Sequence, residues 1–530
     1  MKATSLGRIV TIGAIAFCLM SAGTPAATAG NDLPGTDVLG TNVKRLMKPN
    51  PQEPVLPDDP FVALSDAVDD FSRVLGVRQD PAAKAPIDVL PRDVAGRLAI
   101  LTRKAHRCHR KSQGLVAELG GIEGLGQATL EDGSGPDPTL LTTSSMRDCA
   151  ADLQDAAVET ATFLTSLLPG QLQELDLWPV LRVSGTDSAN LYEQDYALIV
   201  DVAGDDFYAN NAGGNLMDVR RAPVGWMGTA EGADGGTISS GPAVGCQWIP
   251  DLAARNCVVS SSLLIDVSGN DTYGFKESPD PFVDGTCTTD PVVRRIVTQG
   301  AGLAGVGALI ELSGDDTYTA KTVSQGSGHV GGVGVLLDAS GDDRYEAIRN
   351  SQGFALITGV GVLNDAGGND GYFWYVPAPS STTADASNEE DGSGGVRDDR
   401  GKCDSLPRML QGTALIAGIG IFMDAAGADI YDAPSPAIQM FIRADEDKDG
   451  EAENRPVALN HGSLGFGSGG GLGFFFDSAG MDGYPDWGDA ANDGVVQRAN
   501  DLVLNLGDEQ PYVDENSPST GQFRDENSPS

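Results

Sequence analysis

The sequence predicts a mainly β protein: a parallel β-solenoid, similar to a β-helix, of about 27-residue coils with long loop insertions, preceded by a small helical domain. Three observations predict this fold. An eight-residue motif recurs seven times. Two successive intervals between copies are 27 residues. Helical periodicity of apolar residues is confined to the chain before about residue 181, and the later chain is rich in Gly and in short apolar runs.

The repeated motif is Asp-x-x-Gly-x-Asp-x-Tyr, and its last position holds seven of the eleven tyrosines. The copies begin at Asp201, Asp266, Glu311, Asp338, Asp365, Asp424 and Asp477. A 27-residue interval is too short for a propeller blade of about 40–45 residues. Parallel coils that stack to bury a shared core fit this interval better. A stack of antiparallel β-hairpins remains the alternative.

A Gln-Gly pair precedes the motif in several copies, and a Gly-x-Gly pattern lies between that pair and the motif. The Gln-Gly pairs begin at Gln299, Gln325, Gln352 and Gln411. In stacked coils equivalent glutamines lie above one another, and their side chains are expected to form amide ladders that hold the register.

The two acids of each motif are the candidate metal ligands. Equivalent residues of stacked coils lie about 4.8 Å apart, and two carboxylates about 5 Å apart repel by about 3 kcal/mol at an effective dielectric of 20. Calcium, which takes six to eight oxygen ligands, can relieve this repulsion. The predicted ligands are Asp201, Asp206, Asp266, Asp271, Asp316, Asp338, Asp343, Asp365, Asp370, Asp424, Asp429, Asp477 and Asp482.

A purely structural corner is the alternative interpretation of the motif. In that case Gly supplies a positive φ, the aspartates accept hydrogen bonds from backbone N–H groups, and Tyr packs along the corner. Both interpretations require the aspartates of neighbouring coils to lie in register.

The segments "SGNDTY", "SGDDTY" and "AGGNDGY" resemble the Gly- and Asp-rich nonapeptides of RTX-type calcium-binding β-rolls. The resemblance implies calcium held between successive turns of an exported solenoid, with Asp271, Asp316, Asp343 and Asp370 at the positions of the liganding aspartate. RTX repeats recur every nine residues, whereas this chain has one motif per 27.

A second acidic cluster lies in "RADEDKDGEAENR", with Asp445, Asp447 and Asp449 followed by Gly450. This spacing is typical of the start of an EF-hand calcium loop, but position 12 is Pro456 instead of Glu. The segment is therefore either a calcium loop or a solvated acidic loop.

The chain divides into five predicted regions. These are a signal peptide at 1–29, a Pro- and Asp-rich linker at 30–60, a helical domain at 61–180, the repeats at 181–490 with insertions at 209–260, 274–297, 376–408 and 432–460, and an acidic, partly disordered tail at 491–530.

The signal peptide predicts a secreted, extracellular protein, and the cysteines agree with an oxidising compartment. Six cysteines follow the predicted cleavage site. Nearest-neighbour pairing predicts the disulfides Cys108–Cys149, Cys246–Cys257 and Cys287–Cys403, although spacing alone does not decide connectivity. No later segment has the length and hydropathy of a membrane span.

The formal charge of −40 disfavours nucleic acid as a partner and favours cations. Three functions fit the sequence. The first is a non-enzymatic, calcium-stabilised scaffold that attaches to a glycan or another cell-surface component. The second is a polysaccharide lyase or hydrolase on a β-helix, with Trp226, Trp248 or Trp374 stacking on sugar rings. The third is a passive carbohydrate-binding protein.

Overall fold

The computed structural model describes most of the helical region and the repeats. The described residues are 38–77, 86–128, 143–168, 170–219, 257–274, 297–320, 322–347, 350–374, 410–432, 440–444, 453–457, 465, 467–468, 470–478, 503–505 and 520–525. The predicted signal peptide, Asp482 and the acidic loop with Asp445, Asp447 and Asp449 lie outside these residues.

The N-terminal part is helical. Its elements are α1 Thr41–Met47, α2 Pro60–Val74, the 3-10 helix Ile87–Val89, α3 Arg92–Glu118, α4 Gly121–Ala128 and α5 Ser144–Leu164. Helix α1 buries Val43 and Leu46 and lies inside the segment predicted as a linker, so that prediction is wrong for this stretch.

The remaining elements are short strands. In chain order they are β1 Leu175–Leu177, β2 Leu181–Val183, β3 Leu191–Tyr192, β4 Leu198–Val200, β5 Phe207–Tyr208, β6 Leu216–Asp218, β7 Cys257–Val259, β8 Ser261–Ile265, β9 Thr272–Tyr273, β10 Gly302–Leu303, β11 Val306–Glu311, β12 Thr317–Thr319, β13 Gly328–His329, β14 Val333–Asp338, β15 Arg344–Ala347, β16 Ala355–Leu356, β17 Val360–Asp365, β18 Gly371–Trp374, β19 Ala414–Leu415, β20 Ile419–Asp424, β21 Ile430–Asp432, β22 Met440–Ala444, β23 Glu453–Val457, β24 Gly467–Ser468, β25 Leu472–Asp477, β26 Val503–Asn505 and β27 Thr520–Asp525.

Three stacked sheets run through the repeats. The first has eleven strands in the order β1-β2-β4-β8-β11-β14-β17-β20-β25-β27-β26. The second has seven in the order β21-β18-β15-β12-β9-β5-β3, and the third has five in the order β10-β13-β16-β19-β24. Neighbouring repeats pair in parallel in all three sheets, so antiparallel hairpins do not join the described repeats. The protein is mainly β with a helical N-terminal part.

The register of the first sheet aligns the first acid of each motif. Glu311 pairs with Asp338, Asp338 with Asp365, and Asp365 with Asp424. In the second sheet Tyr318, Tyr345 and Tyr372 form a similar line. The predicted alignment of equivalent motif residues is therefore confirmed for these positions.

Strands of the first sheet are buried on both faces. Along β14, Val335 and Leu337 lie in an apolar core that also contains helix residues, whereas Leu336 lies in a second core with the motif tyrosines. Successive side chains of a strand point to opposite faces, so Asp338 is on the same face as Leu336 and points toward Tyr345. Because of this alternation, the Asp338 side chain lies buried inside the repeats.

The helical part covers the outer face of the first sheet. Ser112 Oγ of α3 donates a hydrogen bond of 2.7 Å to the carbonyl of Ala304, and Gln113 Nε2 donates one of 2.6 Å to the carbonyl of Val259. Helix and sheet residues share one apolar core. The helices therefore shield a sheet face that would otherwise expose a row of Val, Leu and Ile side chains.

The predicted disulfide Cys108–Cys149 joins α3 to α5, with a Cα–Cα distance of 5.6 Å. Cys257 is also disulfide-bonded. The other cysteines of the predicted pairs, Cys246, Cys287 and Cys403, lie outside the described residues. Among the described helices, none combines the length and the hydropathy needed to cross a bilayer.

Three regions predicted to lack repeat structure contain strands. Within the insertion predicted at 209–260, β6 and β7 form an antiparallel pair. The tail contributes β27, which pairs in parallel with β25, so the prediction of disorder is wrong for Thr520–Asp525. Within the insertion predicted at 432–460, β22 and β23 form an antiparallel pair.

Candidate metal centre

The first acid of each motif ends, or directly follows, a strand of the first sheet. We call Asp201, Asp266, Glu311, Asp338, Asp365 and Asp424 the first-acid column. Asp338 is 1% exposed. Its Oδ2 accepts hydrogen bonds from the hydroxyls of Tyr318 at 2.6 Å and Tyr345 at 3.1 Å. Each acid of this kind is thus held in a fixed orientation by the tyrosines beside it.

The tyrosines form a continuous stack inside the second sheet. The tyrosine column consists of Tyr192, Tyr208, Tyr273, Tyr318, Tyr345, Tyr372 and Tyr431. The rings of Tyr318 and Tyr345 are nearly parallel, with centroids 4.6 Å apart, and those of Tyr345 and Tyr372 are 4.8 Å apart. Tyr345 donates to Asp365 of the next repeat at 2.8 Å. The stack therefore links each repeat to the acid of its neighbour.

The second acid of each motif caps the backbone of the preceding repeat. We call Asp206, Asp271, Asp316, Asp343, Asp370 and Asp429 the second-acid column. The N–H of Asp316 donates to Oδ1 of Asp343 at 2.7 Å, and the N–H of Asp343 donates to Oδ1 of Asp370 at 2.7 Å. The remaining links, Asp206 to Asp271, Asp271 to Asp316 and Asp370 to Asp429, follow the same pattern.

An exposed ladder runs beside this column in the opposite direction. The N–H of Asp342 donates to Oδ1 of Asp315 at 3.0 Å, and the N–H of Asn369 donates to Oδ1 of Asp342 at 2.9 Å. The two ladders fix the spacing of the corners, because each backbone N–H is held by a side chain of a neighbouring repeat.

The motif glycine is required by close approach between repeats. A Cβ on Gly341 would lie 1.6 Å from the carbonyl oxygen of Gly314, and one on Gly368 would lie 1.5 Å from that of Gly341. Neither Gly314, Gly341 nor Gly368 has a positive φ. The prediction that Gly supplies a positive φ at the corner is therefore wrong for these copies.

Several second acids have one carboxylate oxygen without a donor among the described residues. Oδ2 of Asp316 and of Asp343 is buried without a hydrogen-bond partner among the described residues, and so is Oδ1 of Asp338. The equivalent oxygens of Asp206, Asp271 and Asp370 are also unpartnered. A buried carboxylate oxygen without a donor is costly unless it is protonated or bound to a cation.

These oxygens come together in groups of three acids, each group spanning two repeats. In each group one oxygen from every acid lies within 4.8 Å of the others, and all acids are buried. The groups are Asp206–Asp266–Asp271, Asp316–Asp338–Asp343, Asp343–Asp365–Asp370 and Asp370–Asp424–Asp429. Two oxygens bound to one ion at about 2.4 Å lie at most about 4.8 Å apart. Groups of buried aspartates in this protein can therefore bind a metal ion.

Not every predicted ligand belongs to such a group. Among the described residues, Asp201 and Asp477 are buried but in none of the groups. Asp201 instead accepts the hydroxyl of Tyr192 and the N–H of Ala203. Asp482 and the acids of the predicted EF-hand-like loop, Asp445, Asp447 and Asp449, lie outside the described residues.

Burial and mutual repulsion shift the acids toward the neutral form. Burial, followed by the charge of Asp338, raises the pKa of Asp343 to about 12. Burial and Asp338 also raise the pKa of Asp316 to about 9, and burial with Asp365 raises that of Asp370 to about 10. Within the groups, protons and cations therefore compete for the same oxygens.

The glutamines act on the backbone rather than on one another. Gln325 Nε2 donates to the carbonyls of Tyr318 and Glu346, both at 3.1 Å, and Gln299 makes equivalent bonds. Gln325 has a φ of +50° and is followed by Gly326 at +75°. For these two glutamines, the predicted amide ladder is wrong, and the Gln-Gly pair instead forms a left-handed turn.

Sequence reasoning missed the role of two residues. Tyr192 belongs to the tyrosine column and stacks on Tyr208 at 4.7 Å, but only sixteen residues separate the two. A search for tyrosines at intervals of about 27 residues therefore does not identify Tyr192 as a member of the column. Glu311 stands where the other copies have Asp, and it was not predicted as a ligand. The one signal in the sequence was this change to a residue with a longer side chain.

No protein-family model, curated protein or solved structure matches this chain. The function is therefore inferred from the two acid columns, the tyrosine column and the fold.

Proposed function

We propose that this chain is an exported, non-enzymatic repeat protein, stabilised by calcium and serving as an extracellular scaffold or surface-attachment protein. The observation that carries the proposal is the set of unpartnered, buried carboxylate oxygens between successive repeats, as at Asp316, Asp338 and Asp343. Cations at these positions would join each repeat to the next.

A parallel β-solenoid is the architecture we propose for the repeats. The repeats that end at Tyr318, Tyr345, Tyr372 and Tyr431 each supply one strand to each of the three sheets. Every pairing between these repeats is parallel. A chain that visits three parallel sheets in the same order in every repeat advances as a coil.

Calcium is the cation that the donors favour. The groups contain only carboxylate oxygens, which are hard ligands suited to calcium or magnesium rather than to softer metals. Each repeat brings two motif acids, so one divalent ion for each repeat, placed at its junction with the next, would balance their charge. Calcium tolerates irregular coordination better than magnesium does, and the resemblance to RTX repeats also favours it.

A structural role is favoured over catalysis by the burial of the motif acids. Asp338 is 1% exposed and Asp343 is 3% exposed, so a polysaccharide cannot reach them without opening the stack. The partner we propose is a glycan or another cell-surface component, bound by an exposed face. Of the tryptophans considered as sugar contacts, Trp226 and Trp248 lie outside the described residues.

Export is supported by the predicted signal peptide and by the disulfide Cys108–Cys149. Disulfides persist in oxidising compartments, where free calcium is also abundant compared with the cytosol. The acid columns are thus suited to an ion that the chain would meet after export.

Thermal unfolding of the full chain tests the calcium part of the proposal. We expect a higher Tm in millimolar calcium than in EDTA, with a smaller increase in magnesium, because ligand binding to the folded state alone stabilises it. An identical Tm in calcium and EDTA would contradict the proposal. Incubation with acidic and neutral polysaccharides tests the non-enzymatic part, and release of new reducing or unsaturated ends would contradict it.

A further inference from the structure

Glu311 is the one member of the first-acid column that is not aspartate. Its backbone is in register with Asp338 of the next repeat, but its carboxylate is fully occupied by protein donors. Oε1 accepts the N–H groups of Leu312 at 3.0 Å and Ser313 at 3.1 Å, and Oε2 accepts the hydroxyl of Tyr273 at 2.7 Å. Asp365 likewise accepts a backbone N–H, that of Gly367, at Oδ1 and tyrosine hydroxyls at Oδ2, so the distinction of Glu311 lies in where its oxygens are placed.

The acids around Glu311 do not form a group of three like those around the aspartates of the column. At this position in the stack, Asp271, Glu311 and Asp316 do not bring one oxygen each within 4.8 Å of the others, whereas the four described groups built on an aspartate do. Oδ2 of Asp271 and of Asp316 is still unpartnered. Two of the three acids are therefore placed as in the other groups, and Glu311 does not complete the third position.

The groups beyond Glu311 form a connected row. Asp343 belongs to both the group of Asp338 and the group of Asp365, and Asp370 belongs to both the group of Asp365 and the group of Asp424. The group Asp206–Asp266–Asp271 shares no acid with this row. It lies on the other side of Glu311.

We propose that Glu311 interrupts the line of cations, leaving one isolated site at Asp206–Asp266–Asp271 and a row of three that begins at Asp316. This inference rests on the proposed cation binding and deepens it, because it names the residue that decides which pairs of repeats hold an ion. An aspartate at position 311 completes the missing site. A glutamate at position 338 removes one.

The number of calcium ions bound per folded chain, measured by equilibrium dialysis and by native mass spectrometry, tests this inference. We expect Glu311→Asp to bind one ion more than the wild type and the reciprocal Asp338→Glu to bind one ion fewer. Both variants keep the charge, and Glu311→Asp restores the residue that the other copies carry. Circular dichroism checks that each variant is folded.

The possible results separate the two proposals. An unchanged ion count in folded Glu311→Asp overturns the inference, and so does an unchanged count in folded Asp338→Glu. A wild-type chain that binds no calcium overturns the proposed function instead. A gain in one variant together with a loss in the other supports both.

Discussion

The backbone N–H of Asp316 donates a 2.7 Å hydrogen bond to Oδ1 of Asp343, the equivalent residue of the next repeat. This bond uses one carboxylate oxygen and leaves Oδ2 of Asp343 buried without a donor. The same arrangement recurs between Asp343 and Asp370. The corner is thus held by backbone amides, but amides alone do not satisfy its acids.

The metal-free protein should lose stability as the pH rises. The folded pKa values of Asp316, Asp343 and Asp370, about 9, 12 and 10, lie above the value of about 3.9 for an unfolded aspartate. The folded state therefore binds more protons than the unfolded state, so the free energy of unfolding falls as the pH rises between these limits.

In EDTA we accordingly expect the Tm to fall between about pH 5 and about pH 9. In calcium the fall should be much smaller, because the ion replaces the protons as the pH rises. A Tm in EDTA that rises over this range would contradict the account.

Replacing Asp343 by Asn should remove calcium from two places at once. Asp343 is shared by two groups of acids, so we expect about two fewer ions bound and a smaller increase in Tm on adding calcium. Asp342→Asn is the matched control, because it makes the same charge change at an exposed neighbour. Equal effects of the two substitutions, measured by equilibrium dialysis and thermal unfolding, would be inconsistent with a specific role of Asp343.

Replacing Tyr345 by Phe should keep the ring stack and remove the hydroxyl that contacts Asp338 and Asp365. Loss of a donor to buried acids is expected to lower the free energy of unfolding by about 1–3 kcal/mol. Urea denaturation measures this difference. A variant as stable as the wild type would mean that the hydroxyl does not hold the acids.

Replacing Gly341 by Ala should destabilise the stack severely, because the new Cβ would lie 1.6 Å from the carbonyl oxygen of Gly314. We expect a loss of about 3 kcal/mol or more, or failure to fold. Gly114→Ala is the control: in helix α3 a Cβ meets nothing within 4 Å, and Ala favours a helix by up to about 1 kcal/mol. Chemical denaturation should show a lower free energy of unfolding for Gly341→Ala and an equal or higher one for Gly114→Ala. A Gly341→Ala variant as stable as the wild type would refute the close approach of the two backbones.

The repeats and the alignment of their motif residues could be predicted because the motif recurs at regular intervals in the sequence. The 27-residue interval from Glu311 to Asp338 and on to Asp365 gave the stacking of acids that the parallel register confirms. The pairing Cys108–Cys149 is the one that nearest-neighbour order along the chain predicts.

Other features depend on contacts between distant residues and leave little trace in one sequence. The hydroxyl of Tyr345 reaches an acid of the next repeat, which composition alone does not reveal. The helices pack on the sheet through Ser112 and Gln113, and nothing in those residue types indicates the face they meet. The polar segment around Thr520 gave no apolar alternation, yet it joins the first sheet through its backbone.

Anomalous diffraction from crystals grown with calcium tests the central claim most directly. The account predicts a peak among Asp316, Asp338 and Asp343, with a carboxylate oxygen of each acid about 2.3–2.6 Å from the ion. A well-ordered stack in which these acids contact one another directly, with no ion between them in millimolar calcium, would contradict it.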